Sequence, residues 1–417
     1  MEDAAITSKQ SEHSSEEKFD IAFFACLFYY FIEYFRPHQK YAAFKGIPFG
    51  DIAVGFFVLS FFLAGKRLEA KNQINILITV YFFWIFICSI LGINFDQSWQ
   101  FIIYFFKFYL VYILTINTIT NEKQLIWFIF FIGLLYFSYT NFGIRNWLFT
   151  GFSGGVRGSY FGAGFFNNPN DMSAALSSFF GLSLYMIFAD KYKLFNKFPN
   201  AWFHTINTAL IILGILLTST RGGAVALAAC LLYFWKKQGL KLKYAFLIVL
   251  IGLTFAGMLS EAQWQKFERI GTEQDESARD RIDNWKIAWR MMNDHPLVGV
   301  GPNNYVQAKK KLYNETQNMF VQHNIFLQAS TELGYTGFFI LLLMIYSFYR
   351  STRYVKKIDY ASDKRAYFYI ANGMEICMLG FIVSGMFITT LYYPFFWLNL
   401  AIVVSLQNIV MKRSEAS

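Results

Sequence analysis

Apolar residues fall in long unbroken runs joined by short polar connections, near 19–36, 47–65, 74–93, 99–117, 124–143, 169–189, 202–219, 221–236, 243–260, 325–349, 366–391 and 393–411. About 20 mostly apolar residues carry one helix across the hydrocarbon core of a bilayer. A closed β-barrel is the other spanning solution, but its strands alternate apolar and polar positions, and these runs do not. The pattern predicts an all-α polytopic integral membrane protein of about 12 transmembrane helices.

Between the ninth and tenth runs, residues 261–324 are too many for a turn and predict a small helical extracytoplasmic subdomain. Inside it, Ile282, Trp285, Ala288, Trp289 and Met292 recur at helical spacing, and His295-Pro296 ends the helix, because proline disfavours helix in the residue before it. The expected layout is a cytoplasmic tail (1–18), a membrane domain (19–260), the extracytoplasmic subdomain (261–324), a second membrane portion (325–411) and a short tail (412–417). No internal repeat is evident.

Composition sharpens this picture. The hydrophobic share is 55% and the charged share only 15%, against about 25% charged in an ordinary soluble domain. A soluble enzyme, a disordered chain and a nucleic-acid-binding domain are thereby excluded. The net charge of +10 follows topology. Of the 37 Lys and Arg residues, 21 lie at the termini or in alternate connections, such as Lys66, Arg67 and Lys71, or Lys236, Lys237, Lys241 and Lys243. The positive-inside rule then puts both termini in the cytoplasm. No nucleic-acid partner is implied. The first 18 residues, with Glu2, Asp3, Glu12, Glu16 and Glu17, are too acidic for a signal peptide. Cys26, Cys88, Cys230 and Cys377 lie inside apolar runs without metal-ligand spacing and read as small buried hydrophobes.

Charges within the spans are scarce: Glu33, Lys107, Glu332 and Glu375 stand out. They are too scattered for the ionisable relay of a coupled transporter. Polar residues gather instead at the expected outer membrane edge, in 144–168, in Ser219–Gly223 and in 261–324. Arg221 opens a short span, where free backbone N–H groups attract anions and a guanidinium adds a fork of donors suited to phosphate. A snorkelling interfacial Arg is the competing reading. Arg157 to Asp171 is glycine-rich and aromatic without a phosphate-loop signature, and Asn168 with Pro169 fits a capped helix start. His295 to Pro302 reads as a glycine-permitted turn, and Lys309-Lys310-Lys311 as a solvated basic turn, with contact to an anionic acceptor as the other possibility. His323 stands at the mouth of the next span, where it is either structural or a general base working near neutral pH. No HExxH or acidic cluster accompanies it, which argues against metal ligation.

In order along the chain, Phe166-Asn-Asn-Pro-Asn170, Ser219-Thr-Arg-Gly-Gly223, Arg281 four residues before Trp285, His295-Pro-Leu-Val-Gly-Val-Gly-Pro302 and His323-Asn-Ile-Phe-Leu327 with Glu332-Leu-Gly334 resemble the O-antigen ligase/polymerase superfamily of bacterial membrane glycosyltransferases. Tyr34-Phe-Arg-Pro37 also resembles some members. The resemblance covers about 150–340. It implies a multi-pass protein of the bacterial inner membrane with an outer subdomain over a lateral cavity. It implies transfer of a glycan en bloc from undecaprenyl diphosphate to an acceptor sugar hydroxyl, of the lipid A-core type or on a growing polysaccharide, without metal, nucleotide or other cofactor. Carried over by motif, Arg221 and Arg281 bind the diphosphate and His323 activates the acceptor. Arg157, Arg279, Asn168, Asn170, Asn324 and Glu332 are further candidates for substrate contact. Ligase and polymerase share these motifs. A lipid flippase or a non-catalytic scaffold are readings from other classes.

Overall fold

A computed structural model describes residues 19–69, 72–149, 166, 168–189, 200–239, 276–315, 320–359 and 366–416. Its helices are α1 (Ile21–Phe35), α2 (Phe49–Leu63), α3 (Gln73–Leu91), α4 (Phe95–Thr118), α5 (Glu122–Phe149), α6 (Pro169–Met186), α7 (Asn200–Leu217), α8 (Arg221–Gln238), α9 (Glu276–Asp294), α10 (Tyr305–Tyr313), α11 (Ile325–Asp359), α12 (Ala366–Gly385) and α13 (Pro394–Ala416). Among the described residues there is no strand. Helices thus cover eleven of the twelve predicted spans, and the twelfth, 243–260, lies outside the described residues. Among the described residues, seven helices are long and apolar enough to cross a membrane: α3, α4, α5, α7, α11, α12 and α13. Three spans end six residues or more from expectation, and of these the run at 124–143 continues to Phe149. The run at 325–349 continues to Asp359, and the one at 366–391 stops at Gly385 and gives way to a turn.

Side chains sort as a lipid-embedded bundle requires. Ile52, Leu59, Phe62 and Leu63 of α2 and Ile76, Val80, Phe83 and Ile87 of α3 point outward and stay exposed, an apolar surface far beyond what a soluble monomer shows. Between helices, small residues bring backbones together. α6 and α12 touch main chain to main chain: a Cβ on Gly181 would stand 2.4 Å from the Gly373 carbonyl oxygen, and one on Gly380 would stand 2.3 Å from that of Ser177. Each scattered internal charge has a partner. Glu33 pairs with Arg36 at 2.8 Å, Lys107 with Asp51, and Glu375 with Lys356 at 2.5 Å and Lys237 at 3.2 Å.

α11 is broken at Gly334, whose φ of 68° lies in the left-handed region. Four backbone groups at the break are answered by other elements. The Thr331 and Glu332 carbonyls accept from the Val300 and Gly301 amides at 2.9 and 3.0 Å, and the Tyr335 amide donates to the Pro296 carbonyl at 2.7 Å. The Leu333 carbonyl accepts from the Trp84 indole at 2.9 Å. Apolar surroundings offer no water, so these bonds are what make the break tolerable. The fit is close: a Cβ on Gly334 would lie 2.1 Å from the Leu297 oxygen, and one on Gly299 would lie 2.5 Å from Glu332. The two glycine motifs are therefore two halves of one joint.

α9 and α10 form a small lobe with its own core of Ala288, Met291, Val300, Tyr305 and Ala308. α9 ends at Asp294, where His295-Pro296 predicted. Lys309 corrects the sequence reading. It is not part of a solvated turn but sits on α10, fully buried, donating to Asn284 at 2.6 Å and to the Phe320 carbonyl at 3.3 Å. The lobe needs a donor there to satisfy buried oxygens, and burial holds the ammonium below the usual lysine range. Lys310 and Lys311 remain exposed.

Candidate functional site

Named contacts gather one end of the bundle around the turn between α12 and α13. Phe387 packs on the start of α8, 3.0 Å from where a Cβ of Gly222 would stand. Two residues on, the Thr389 hydroxyl accepts from the His323 amide at 2.9 Å. Tyr393 donates to Asp171 in the first turn of α6 at 3.3 Å. The lobe's loop joins the same end through the first turn of α4, where Ser98 donates to the Pro302 carbonyl at 3.2 Å and Gln97 to that of Asn303 at 2.6 Å. The turn thus touches the Arg221 motif on one flank and the His323 motif on the other.

Arg221 is the first residue of α8, behind an N-terminal cap at Thr220. The preceding Ser219 takes a left-handed φ of 50°, which turns the chain sharply from α7 into α8. Gly223 lets this start lie against α6, since a Cβ there would stand 2.7 Å from that of Ser173. The start of α8 therefore brings helix N-terminal N–H groups and a half-buried guanidinium together.

His323 lies between Phe320 and Asn324, in the strand of loop leading into α11, with a left-handed φ of 49°. Its imidazole is half-buried. Burial first, and the neighbouring Arg281 charge second, push it down to about 4. The imidazole is thus neutral at pH 7 and carries a lone pair. Arg281 is brought to it by Trp285, whose indole donates to the Gln322 carbonyl at 2.8 Å. The two residues are one helical turn apart on α9, so that bond holds Arg281 beside His323. Arg279 is exposed and Arg281 half-buried.

Asn168 and Asn324 are helix caps. The Asn168 side chain accepts from the Asn170 amide at 2.9 Å, and that of Asn324 accepts from the Phe326 and Leu327 amides at 2.9 and 3.2 Å. Glu332 is buried. Its carboxylate accepts from the Asn303 amide at 3.0 Å and is turned toward the lobe's loop. Arg157 lies outside the described residues. Among the described residues no three His, Cys, Asp or Glu are grouped so as to hold a metal ion. Sequence reasoning missed Phe387 and Thr389, which belong to no motif.

Residues 206–342 match the O-antigen ligase family. No curated protein matches the chain. The O-antigen ligase segment holds Arg221, Arg279, Arg281, His323, Asn324 and Glu332, whereas Asn168, Asn170 and the turn at 386–393 lie outside it. The match supports a membrane glycosyltransferase of the ligase/polymerase type, which implies a lipid-linked glycan donor and a polysaccharide acceptor.

Proposed function

We propose that this protein moves a glycan en bloc from undecaprenyl diphosphate to an acceptor sugar hydroxyl, of the lipid A-core type, at the outer face of the bacterial inner membrane. The observation that carries this reading is the pairing of His323 with Arg281 through the Trp285–Gln322 bond. A base and a phosphate-binding group stand side by side, and the Arg221 helix start reaches the turn that also holds His323.

In this reading Arg221, the start of α8 and Arg281 hold the diphosphate. The acceptor oxygen attacks the anomeric carbon, its proton passes to His323, and the bond from that carbon to the phosphate oxygen breaks. Undecaprenyl diphosphate leaves with the electron pair. Attack opposite the leaving group inverts the anomeric centre. Negative charge grows on the diphosphate as the bond breaks, so fixed cationic donors bind the transition state more tightly than the ground state. Losing one preorganised donor of this kind costs about 3–4 kcal/mol of barrier. The bond energy of the donor suffices, and no ATP, metal or other cofactor takes part. Both termini are cytoplasmic, and the α9–α10 lobe is extracytoplasmic. Arg279 and Arg157 add positive charge along the donor's approach, Asn168, Asn170 and Asn324 offer amide N–H groups toward it, and Glu332 sets the loop behind it.

Reconstitution with a defined undecaprenyl-diphosphate glycan and rough lipopolysaccharide, followed by mass spectrometry, tests the reading. The expected product is one new glycosidic bond, absent with His323→Ala and with Arg221→Ala. Translocation of the lipid-linked glycan without a new bond would point to a flippase instead.

A further inference from the structure

Beside the turn at 386–393 lies a second polar cluster built from four elements. Arg36, at the end of α1, has a left-handed φ of 48° and is bound to Glu33 through both its Nη2 and its Nε, at 2.8 and 3.0 Å. It also faces the Tyr104 hydroxyl of α4. The Tyr393 hydroxyl lies within electrostatic reach of Tyr104, Arg36 and Asp171 together. Asp171 is only 7% exposed. Among the described residues its carboxylate has one hydrogen bond, the 3.3 Å contact from Tyr393.

That carboxylate is under-used. Its two oxygens offer about four acceptor sites, and a buried polar group left short of partners carries a desolvation cost. Such a group points to a ligand that completes it. Tyr393 stands beside it and links it to Tyr104 and Arg36, and the set suits a sugar: rings cover its C–H face, the carboxylate accepts from its hydroxyls and the guanidinium donates to its oxygens. Asp171 precedes by two residues Ser173, the side chain on which the start of α8 packs through Gly223. A ring attached to a diphosphate at Arg221 would therefore fall toward Asp171, while His323 approaches from the other flank of the turn.

We propose that Asp171, Tyr393, Tyr104 and Arg36 bind a sugar ring of the lipid-linked donor, with Asp171 accepting its hydroxyl protons. This rests on the glycosyltransferase reading above, but binding tests it separately. Purified protein is titrated with an undecaprenyl-diphosphate-linked repeat unit and followed by intrinsic fluorescence, in a His323→Ala background where chemistry is off. Asp171→Asn is expected to weaken donor binding by about 10–100-fold, the range of charge-assisted hydrogen bonds, with the melting temperature nearly unchanged. Tyr393→Phe is expected to weaken it less. In the otherwise wild-type enzyme, Asp171→Asn should raise the donor KM and leave kcat within about threefold. Unchanged affinity would overturn the subsite, as would a lowered melting temperature alone, which would make Asp171 a helix-start residue. A donor that fails to bind even the parent protein would also overturn it. Donor binding that needs Asp171 in a protein that never forms a glycosidic bond would uphold the subsite and reject the transferase.

Discussion

The indole N–H of Trp285 donates to the carbonyl of Gln322 at 2.8 Å, so the helix that carries Arg281 is fastened to the residue before His323. Trp285→Phe keeps the ring and removes the donor. The lost bond is worth about 1 kcal/mol to stability, so the melting temperature should fall by only a few degrees. Transfer should fall further, by about 10-fold or more, because a slightly misplaced cation loses much of its transition-state contact. Equal small losses in both measurements would show that the bond does not position Arg281.

Acid titration of His323 gives a second test. Its neutral form is the active one, and burial with the Arg281 charge lowers its affinity for protons to about 4 from an ordinary 6.5. The acid limb of kcat/KM, which reports the free enzyme, should therefore fall near pH 4. A bound diphosphate offsets Arg281, so the limb of kcat should lie at higher pH. For stability the sign runs the same way. The folded state holds fewer protons than the unfolded one between about 6.5 and 4, so this group's contribution to stability is lost as pH falls through that window. An acid limb of kcat/KM at 6.5 would sever the link between His323 and Arg281.

His323 itself holds a backbone conformation that favours glycine. His323→Gly should thus melt no lower than His323→Ala, and it gains up to about 1 kcal/mol where the strain is relieved. Both variants should be inactive in transfer. Activity in either would remove the imidazole from the reaction.

Gly334 tolerates nothing larger. Gly334→Ala would drive a methyl group to 2.1 Å from the Leu297 oxygen and strain a left-handed φ. The expected loss is above about 3 kcal/mol, read as a collapse of the melting temperature in detergent or as failure to accumulate. A variant that melts like the wild type would mean that the lobe and α11 are not joined there.

Glu375 accepts from Lys356 at 2.5 Å, Thr352 at 2.9 Å and Tyr233 at 2.8 Å, and faces Lys237 at 3.2 Å. Removing it strands two cations. Glu375→Ala should cost about 3 kcal/mol or more, with transfer by the surviving folded protein unchanged, since the pair lies on the cytoplasmic half of the proposed topology. Lys310→Cys tests that topology. Cys26, Cys88, Cys230 and Cys377 are buried, so labelling of intact cells by an impermeant thiol reagent would report position 310 alone.

The helical bundle was legible because lipid demands continuous apolar runs, and eleven of these runs carry helices among the described residues. The spacing of Arg281 and Trp285 was also legible, since a helical turn is local geometry. What the chain order concealed is contact between distant segments. Thr389 and Phe387 meet His323 and Gly222 only once α12 and α13 have folded back, and no residue type there signals it. The lysine triplet hid a buried member because a run of like charges gives no hint that one stem turns inward onto Asn284. Asp171 stood in plain view beside the capped proline, yet its isolation is a property of the packed state.

The interruption at Gly334 sets an order of assembly. The carbonyls and amide it exposes are covered by residues 296–301, which leave the ribosome before α11 does. The polar lobe must already be folded when α11 enters the bilayer, or bare peptide groups would face hydrocarbon. In the proposed topology, biogenesis of this protein is thus gated by translocation of the loop.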